Sequence, residues 1–365
     1  MGAATLGGVS YVLAALGFIA LIVLHEFGHF SAAKAVGMRV ERFSLFFGPL
    51  LVKFRRGETE YGIGPIPLGG YVRISGMNPN EPLPPEVVPR AYYNQPVWKR
   101  IVVILAGPVM NLLIAFVIVW ALFMSQGQAV PGTNVGAVES GTPAAAVLRP
   151  SDQIVSVDGV SGSETAIRNQ IATHKCAGAQ VDGCETSTPA KVVVRRDGKL
   201  YTFEITPRYD ASAGRPLLGF EFGSVQQPVG GVQATSLAAS GLWNVTKETV
   251  GVVVRIFEPQ DRKQLSGIVG GYTVTQESFA TSTTEALKVL ALISLSLAII
   301  NLFPFLPLDG GHIFWAVAEK VRGRRIPFAV MERAGIVGFA LILMLFVIGL
   351  SNDISTLSGK GFNIH

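Results

Sequence analysis

The sequence predicts a polytopic α-helical membrane protein with about four transmembrane helices, a cytoplasmic β-hairpin and an extracytoplasmic α+β domain. Three observations predict it. The 365 residues have a mean hydropathy of +0.43, 49% hydrophobic residues and only 15% charged ones, where a soluble protein carries about 25% charge. The apolar residues fall into four blocks long enough to cross a bilayer. Between the second and third blocks lies a polar stretch large enough for a domain of its own. Disorder is excluded, because disordered chains are poor in apolar residues. Two cysteines exclude a disulfide-rich scaffold and a cysteine-based zinc ribbon. The net charge of +5 reads as positive loops facing the cytoplasm, and no nucleic-acid partner is expected.

A helix needs about 20 apolar residues to cross the hydrocarbon core. Residues 1–24, 101–138, 289–308 and 334–352 contain no Asp, Glu, Lys or Arg. The first block lacks the basic n-region and the small-residue exit of a signal peptide, and it runs into histidines and a glutamate, so it reads as a span. Lys and Arg counts orient the chain. Residues 34–100 carry ten and the short loop 307–326 carries four, against thirteen spread over the much longer segment 127–283. Long domains count for little in this rule. The loops 34–100 and 307–326 are therefore expected in the cytoplasm, and segment 127–283 and both termini outside.

The expected organisation is a first membrane part over 1–126, an outer domain over 127–210, a linker over 211–283, a second membrane part over 284–350 and a tail over 351–365. In the outer domain, residues 201–206 alternate apolar and polar side chains as a half-buried strand does. Residues 191–195 and 153–157 are two more strand candidates, with turn signals at Asp158-Gly159 and Asp197-Gly198. Residues 140–146 read as a helix start. Over 232–257, Val232, Leu237, Leu242, Val245, Val250, Val254 and Ile256 recur at roughly helical spacing. This fits an interfacial amphipathic helix, or equally part of a soluble subdomain. Cys176 and Cys184 lie in the outer segment, where an oxidising compartment favours a disulfide over two free thiols.

The chemistry sits at the end of the first span, His25-Glu26-Phe27-Gly28-His29. On a helix, positions i and i+4 share a face, so both imidazoles can reach one metal. Glu26 lies one step round, near an open coordination position. The five-residue pattern alone is weak. Its setting strengthens it: ionisable groups at membrane depth each cost about 3 kcal/mol unless compensated, and a divalent cation compensates three at once. The bland alternative is that His25 and Glu26 merely snorkel at the membrane edge. A catalytic zinc needs a third protein ligand and one open position. The third block ends in Asn301-Leu-Phe-Pro304-Phe-Leu-Pro307-Leu-Asp309-Gly310-Gly311-His312. The two prolines prevent a regular helix, and broken helices at membrane depth line cavities or sites. These arguments leave Asp309 and His312 tied. His174 and His365 fall on the outer side.

Through these motifs the chain resembles the site-2 proteases, intramembrane zinc metalloproteases whose bacterial members include the regulator of sigma-E protease. The resemblance rests on His25-Glu26-x-x-His29, on Asn301-x-x-Pro304-x-x-x-x-Asp309-Gly310, and on a PDZ-like region between them. It covers almost the whole chain. It implies zinc held by His25, His29 and Asp309 rather than His312, with Glu26 as the catalytic base. Ala106-Gly-Pro-Val-Met-Asn111 also matches, implying that Asn111 holds the substrate backbone or the developing oxyanion; the alternative is helix packing by small residues. Asn301 belongs to the same implied binding set. Residues 43–74 resemble the family's membrane re-entrant β-hairpin loop, with Gly69, Gly70 and Tyr71 implied as a strand edge that pairs with the substrate. Independently, residues 51–54 and 60–63 flank a plausible turn at 56–58. A surface hairpin that only covers the site is the alternative.

Two departures stand out. Ile268 occupies the proline position of the family's Ser-Gly-Pro-x-Gly, in the stretch 265–270. In the single PDZ-like copy, Ser151 stands where Gly precedes Asp in most such domains, and residues 174–189 look inserted. The resemblance implies the inner membrane of a bacterium, an active site towards the cytoplasm and an outer PDZ-like domain. The implied partners are the lipid bilayer and single-span membrane proteins trimmed by an upstream protease, such as anti-sigma factors or remnant signal peptides. Two other classes fit parts of the pattern, a divalent-metal transporter and an inactive PDZ scaffold. Transporters usually show internal repeats, which this chain lacks, and the intact Glu26 argues against a scaffold.

Overall fold

The structure, a computed structural model, describes residues 2–254, 278 and 282–358. The motif at 265–270 lies outside the described residues. The chain divides into two units, Met1–Leu122 with Thr235–His365, and Phe123–Ala234.

Among the described residues, the first unit holds four helices long and apolar enough to cross a membrane. Helix α1 spans Gly2–Ala35. It continues through the His-Glu-x-x-His motif, beyond the charge-free block that announces it. Helix α2, Val97–Gln126, carries Pro108 inside it. Two other spans follow the second unit, α5 over Thr283–Asn301 and α7 over Phe328–Ser358. The third apolar block was expected to span 289–308, but the helix lies earlier in the chain. Ser282 caps α5 by accepting from the Glu285 N–H at 3.1 Å, which satisfies one of the helix's unpaired first-turn donors. The Lys288 ammonium meets Glu285 at 2.8 Å, so two charges sit in the helix's first turns. The proline-rich stretch 302–308 then forms turns instead of helix, as its prolines require. Helix α6, Asp309–Arg322, follows at once and ends on Gly323 at φ 70°, the left-handed cap that favours glycine.

The cytoplasmic-loop candidate is larger than a hairpin. Strands β1 (Val40–Phe47), β2 (Val52–Arg56), β3 (Thr59–Ile63) and β4 (Ile66–Ile74) form one sheet in the order β2-β3-β1-β4. The expected turn is there, joining antiparallel β2 and β3 through Gly57 and Glu58. The added feature is β1, which pairs parallel with β3 and antiparallel with β4. Strand β4 therefore lies at an edge. The sheet's base packs with α1 and α2 through Ala33, Met38, Val40, Ile74, Tyr92, Val103 and Ile104.

Helix α4, Gly231–Val254, covers most of the amphipathic stretch; residues 255–257 lie outside the described residues. Its Leu242 and Val245 join Ala115, Phe116, Val119, Leu295 and Ile299 of the spans in one apolar cluster.

The second unit is an α+β domain. Strands β5 (Gln128–Val138), β6 (Gln153–Val157), β7 (Ala190–Arg196), β8 (Lys199–Ile205) and β11 (Phe220–Gln227) form a sheet in the order β11-β5-β6-β7-β8. A short ribbon of β9 (Arg208–Asp210) and β10 (Arg215–Leu217) stands apart. Helix α3, Glu164–Ala172, starts on Ser163 and buries Ile167 and Ile171 in the core with Val135, Val157, Val192, Val194 and Leu218. The three strand candidates are present. Asp197 and Gly198 both take positive φ, 49° and 77°, as the two-residue turn between β7 and β8 demands. Residues 143–146 form a short 3-10 helix. Ser151 adopts φ 73°, which gives the physical reason a glycine suits that place. Cys176 and Cys184 are joined in a disulfide, with Cα atoms 6.1 Å apart.

Candidate metal centre

The i, i+4 spacing on α1 stacks His25 and His29 on one face, with ring centroids 4.8 Å apart. Helix α6 presents Asp309 in its first turn. His25 Nε2 and His29 Nε2 lie 3.2 Å apart. Asp309 Oδ2 is 3.2 Å from the first and 3.3 Å from the second. Among the described residues, these three are the group of His, Cys, Asp or Glu able to hold a metal ion. His312, one turn further along α6, is not part of it. The structure thus brings Asp309, and not His312, to the histidines.

The triangle suits a tetrahedral ion. Zinc with ligand bonds of about 2.0 Å spaces its ligand atoms about 3.3 Å apart, close to all three edges measured here. The donor chemistry agrees. His29 Nδ1 lies 2.8 Å from the Val103 carbonyl, so Nδ1–H donates there and the Nε2 lone pair faces the centre. Asp309 Oδ2 is buried with no hydrogen-bond partner among the described residues. Buried carboxylate oxygens are otherwise satisfied, and a cation at the centre of the triangle would satisfy this one.

Glu26 sits beside the triangle. Its side chain lies against Gly70 of β4, and the Val72 N–H faces its carboxylate. Among the described residues strand β4 pairs only with β1, so there the strand beside Glu26 has one edge without a strand partner. Gly69 has φ 131°, and Tyr71 packs its ring 5.6 Å from Phe47. Asn111 is fully buried on α2. Its carbonyl accepts from Ser294 Oγ of α5 at 2.8 Å, while neither side-chain amide atom has a partner among the described residues. Asn301 is the last residue of α5 and is half-buried.

Sequence reasoning missed two backbone contributions. A methyl group at Gly107 would overlap His29 Nε2 and crowd His25 Cε1, and one at Gly28 would overlap the Ala106 carbonyl. Helices α1 and α2 therefore meet backbone to backbone beside His25 and His29. The Ala106-Gly107-Pro108 signal was visible, but nothing in a linear motif says which atom it faces. The Val103 carbonyl carries no side-chain signature at all.

The model for peptidase family M50 matches residues 13–345. The chain is 33% identical to the zinc metalloprotease Rip1 of Mycobacterium tuberculosis H37Rv, over 85% of this chain and 86% of that protein. It is 32% identical to the Nostoc protein all3971, over 92% of each. It is 28% identical to Cj1068 of Campylobacter jejuni, over 93% of this chain and 92% of that protein. The last two are named, provisionally, as zinc metalloproteases. The family match runs through both ligand motifs, and the chain belongs to peptidase family M50, the site-2 proteases, as a multi-pass membrane zinc metalloprotease.

Proposed function

We propose that this protease hydrolyses peptide bonds in or near the transmembrane segments of single-span membrane proteins, after an upstream protease has removed their outer portions. The observation that carries the reading is the adjacency of three things: the ligand triangle, the Glu26 carboxylate and the edge of β4. His25, His29 and Asp309 would hold zinc, which when bound supplies Lewis acidity that polarises a carbonyl and acidifies water.

The remaining steps belong to the chain. Glu26 takes a proton from the attacking water and returns it to the leaving amine. A membrane helix satisfies its own backbone hydrogen bonds, so a substrate must unwind before its carbonyl can be attacked. The free edge at Gly69, Gly70 and Tyr71 gives the unwound segment backbone partners. Asn111, buried with an uncommitted amide, serves as a further donor to the substrate carbonyl, and Asn301 assists at the end of α5. We read the second unit as a PDZ-like domain outside the cell membrane that admits trimmed substrates and obstructs bulky ones. The charge asymmetry of the loops supports an active site towards the cytoplasm, and the family match is the support for a bacterial inner-membrane location.

The test is cleavage of a trimmed single-span substrate in detergent by wild type and Glu26→Gln, with zinc assayed on both. The variant should lose about 10²–10⁴-fold in rate at unchanged zinc content. Equal rates would remove Glu26 as the base. Zinc-loaded wild type that cuts none of several trimmed substrates would overturn the reading.

A further inference from the structure

Polar contacts between three pairs of helices close a ring that includes the candidate metal centre. The Val103 carbonyl of α2 holds His29 of α1 at 2.8 Å. Asp309 of α6 meets the histidines of α1 at 3.2 and 3.3 Å. The third side joins α6 back to α2: Arg100 Nη1 donates to Glu319 Oε2 at 3.0 Å. This pair is largely buried, with 10% and 21% of the two side chains exposed. It is the ion pair between α2 and α6 among the described residues. The guanidinium also lies 5.8 Å from the centre of the Tyr92 ring, and Tyr92 belongs to the apolar cluster on which Ile313 of α6 packs.

The spacing gives the pair leverage. Arg100 stands one turn before Val103 on α2. Glu319 stands ten positions after Asp309 on α6, about 15 Å along the axis at 1.5 Å per residue. Towards its start α6 buries Gly310, Gly311 and Ala316 and rests Ile313 on that cluster, and a helix held at one end pivots. The second hold, far from Asp309, fixes its tilt and rotation. A buried ion pair is a weak source of stability, because desolvation offsets attraction, and its best-attested use is to set register.

We infer that Arg100 and Glu319 form a positioning pair, acting through α6 to keep Asp309 Oδ2 at ligand distance from His25 and His29. The pair does not touch the metal or the substrate. The inference rests on the metal centre described above.

The experiment measures zinc affinity of the full-length protein in detergent by competition with a chelator, and needs no substrate. Arg100→Met and Glu319→Gln should each weaken zinc binding about tenfold, the lower end of the cost of losing a group bonded directly to a ligand, because this pair acts at one remove. Arg100→Lys keeps the charge for this single hydrogen bond and should retain most of the affinity. In an Asp309→Asn background, Arg100→Met should cost nothing further, because the pair acts only through Asp309. A merely structural role predicts the same loss in both backgrounds, and that result overturns the inference. So does wild-type affinity in Arg100→Met. Should Arg100→Met fail to fold, the near-isosteric Glu319→Gln carries the same comparison. Wild type that takes up no zinc would sink the metal centre itself, whereas zinc-binding wild type with unaffected variants sinks only the positioning pair.

Discussion

Two residues without side chains shape the candidate site. Gly107 lets the α2 backbone lie against the imidazoles, and Gly70 lets β4 lie against Glu26. A methyl group at either place displaces a different partner. Gly107→Ala should push His29 off the triangle and strip zinc from the protein, read directly by metal content. Gly70→Ala should move Glu26 instead, lowering turnover by about 10²-fold while zinc stays bound. If both variants lose zinc together, the two glycines do not divide the work in this way. Ser151 is the opposite case, a side chain where the backbone is left-handed. Such a conformation costs a non-glycine residue about 1–2 kcal/mol, partly offset by glycine's larger entropy loss on folding. Ser151→Gly should therefore stabilise the second unit by about 0.5–1 kcal/mol, visible as a higher denaturant midpoint. At this scale the sequence was most legible for the ligands on α1, because four positions on a helix fix a shared face. The residue pattern by itself left Asp309 and His312 tied, since both follow the same broken stretch, and only the family resemblance chose Asp309, the one that α6 presents to the histidines.

Among the elements, the spans were legible because a bilayer demands length and apolarity, which composition displays. Their ends were less so. The third helix starts at Thr283, where a cap and an intrahelical ion pair permit charges that an apolar-block reading excludes. The sheet was only half legible. Alternation and a turn reveal β2 and β3, but the parallel pairing of β1 with β3 is a long-range fact that no local pattern carries. In the second unit, the Cys176–Cys184 bridge closes a short loop in the stretch that looked inserted. Replacing both cysteines with serine should cost about 2–3 kcal/mol of that unit's stability, from the loop-closure entropy restored to the unfolded chain. Unchanged thermal unfolding would mean the bridge carries no stability there. The same sheet holds Asp152 against Arg196, with oxygens 2.7 Å from the guanidinium. The Arg196 hydrogen bonds hold the Asp152 carboxyl below the ordinary carboxylate range. A depressed folded pKa gives stability that is present above the unfolded value of about 3.9 and lost as pH falls through the folded one. Asp152→Asn should thus cost about 1 kcal/mol at neutral pH, a figure kept low for solvent screening. The difference from wild type should close in acid, as hydrogen exchange of the β7 amides would record.

Over the whole molecule, the second unit is an insertion between α2 and α4. Two units were anticipated from the polar stretch between apolar blocks, although the apolar α4 was expected to belong to a linker and instead packs with the spans. If the inserted unit screens substrates, replacing residues 128–230 with a short linker should leave zinc bound and allow untrimmed single-span proteins to be cut. Continued refusal of untrimmed substrates would place the screen elsewhere. The root of the insertion has its own consequence. Its first and last strands, β5 and β11, pair side by side with Gln128 opposite Gln227. The chain thus leaves and re-enters at neighbouring points. To the assembling membrane helices, an unfolded insertion is a loop of roughly a hundred residues, and a folded one is a loop of only a few. The entropy of joining α2 to α4 falls with the logarithm of that length, by about 2 kcal/mol here. Early folding of the inserted unit would therefore favour the closing of the helical bundle that holds the two halves of the metal site, without any contact between the units being needed.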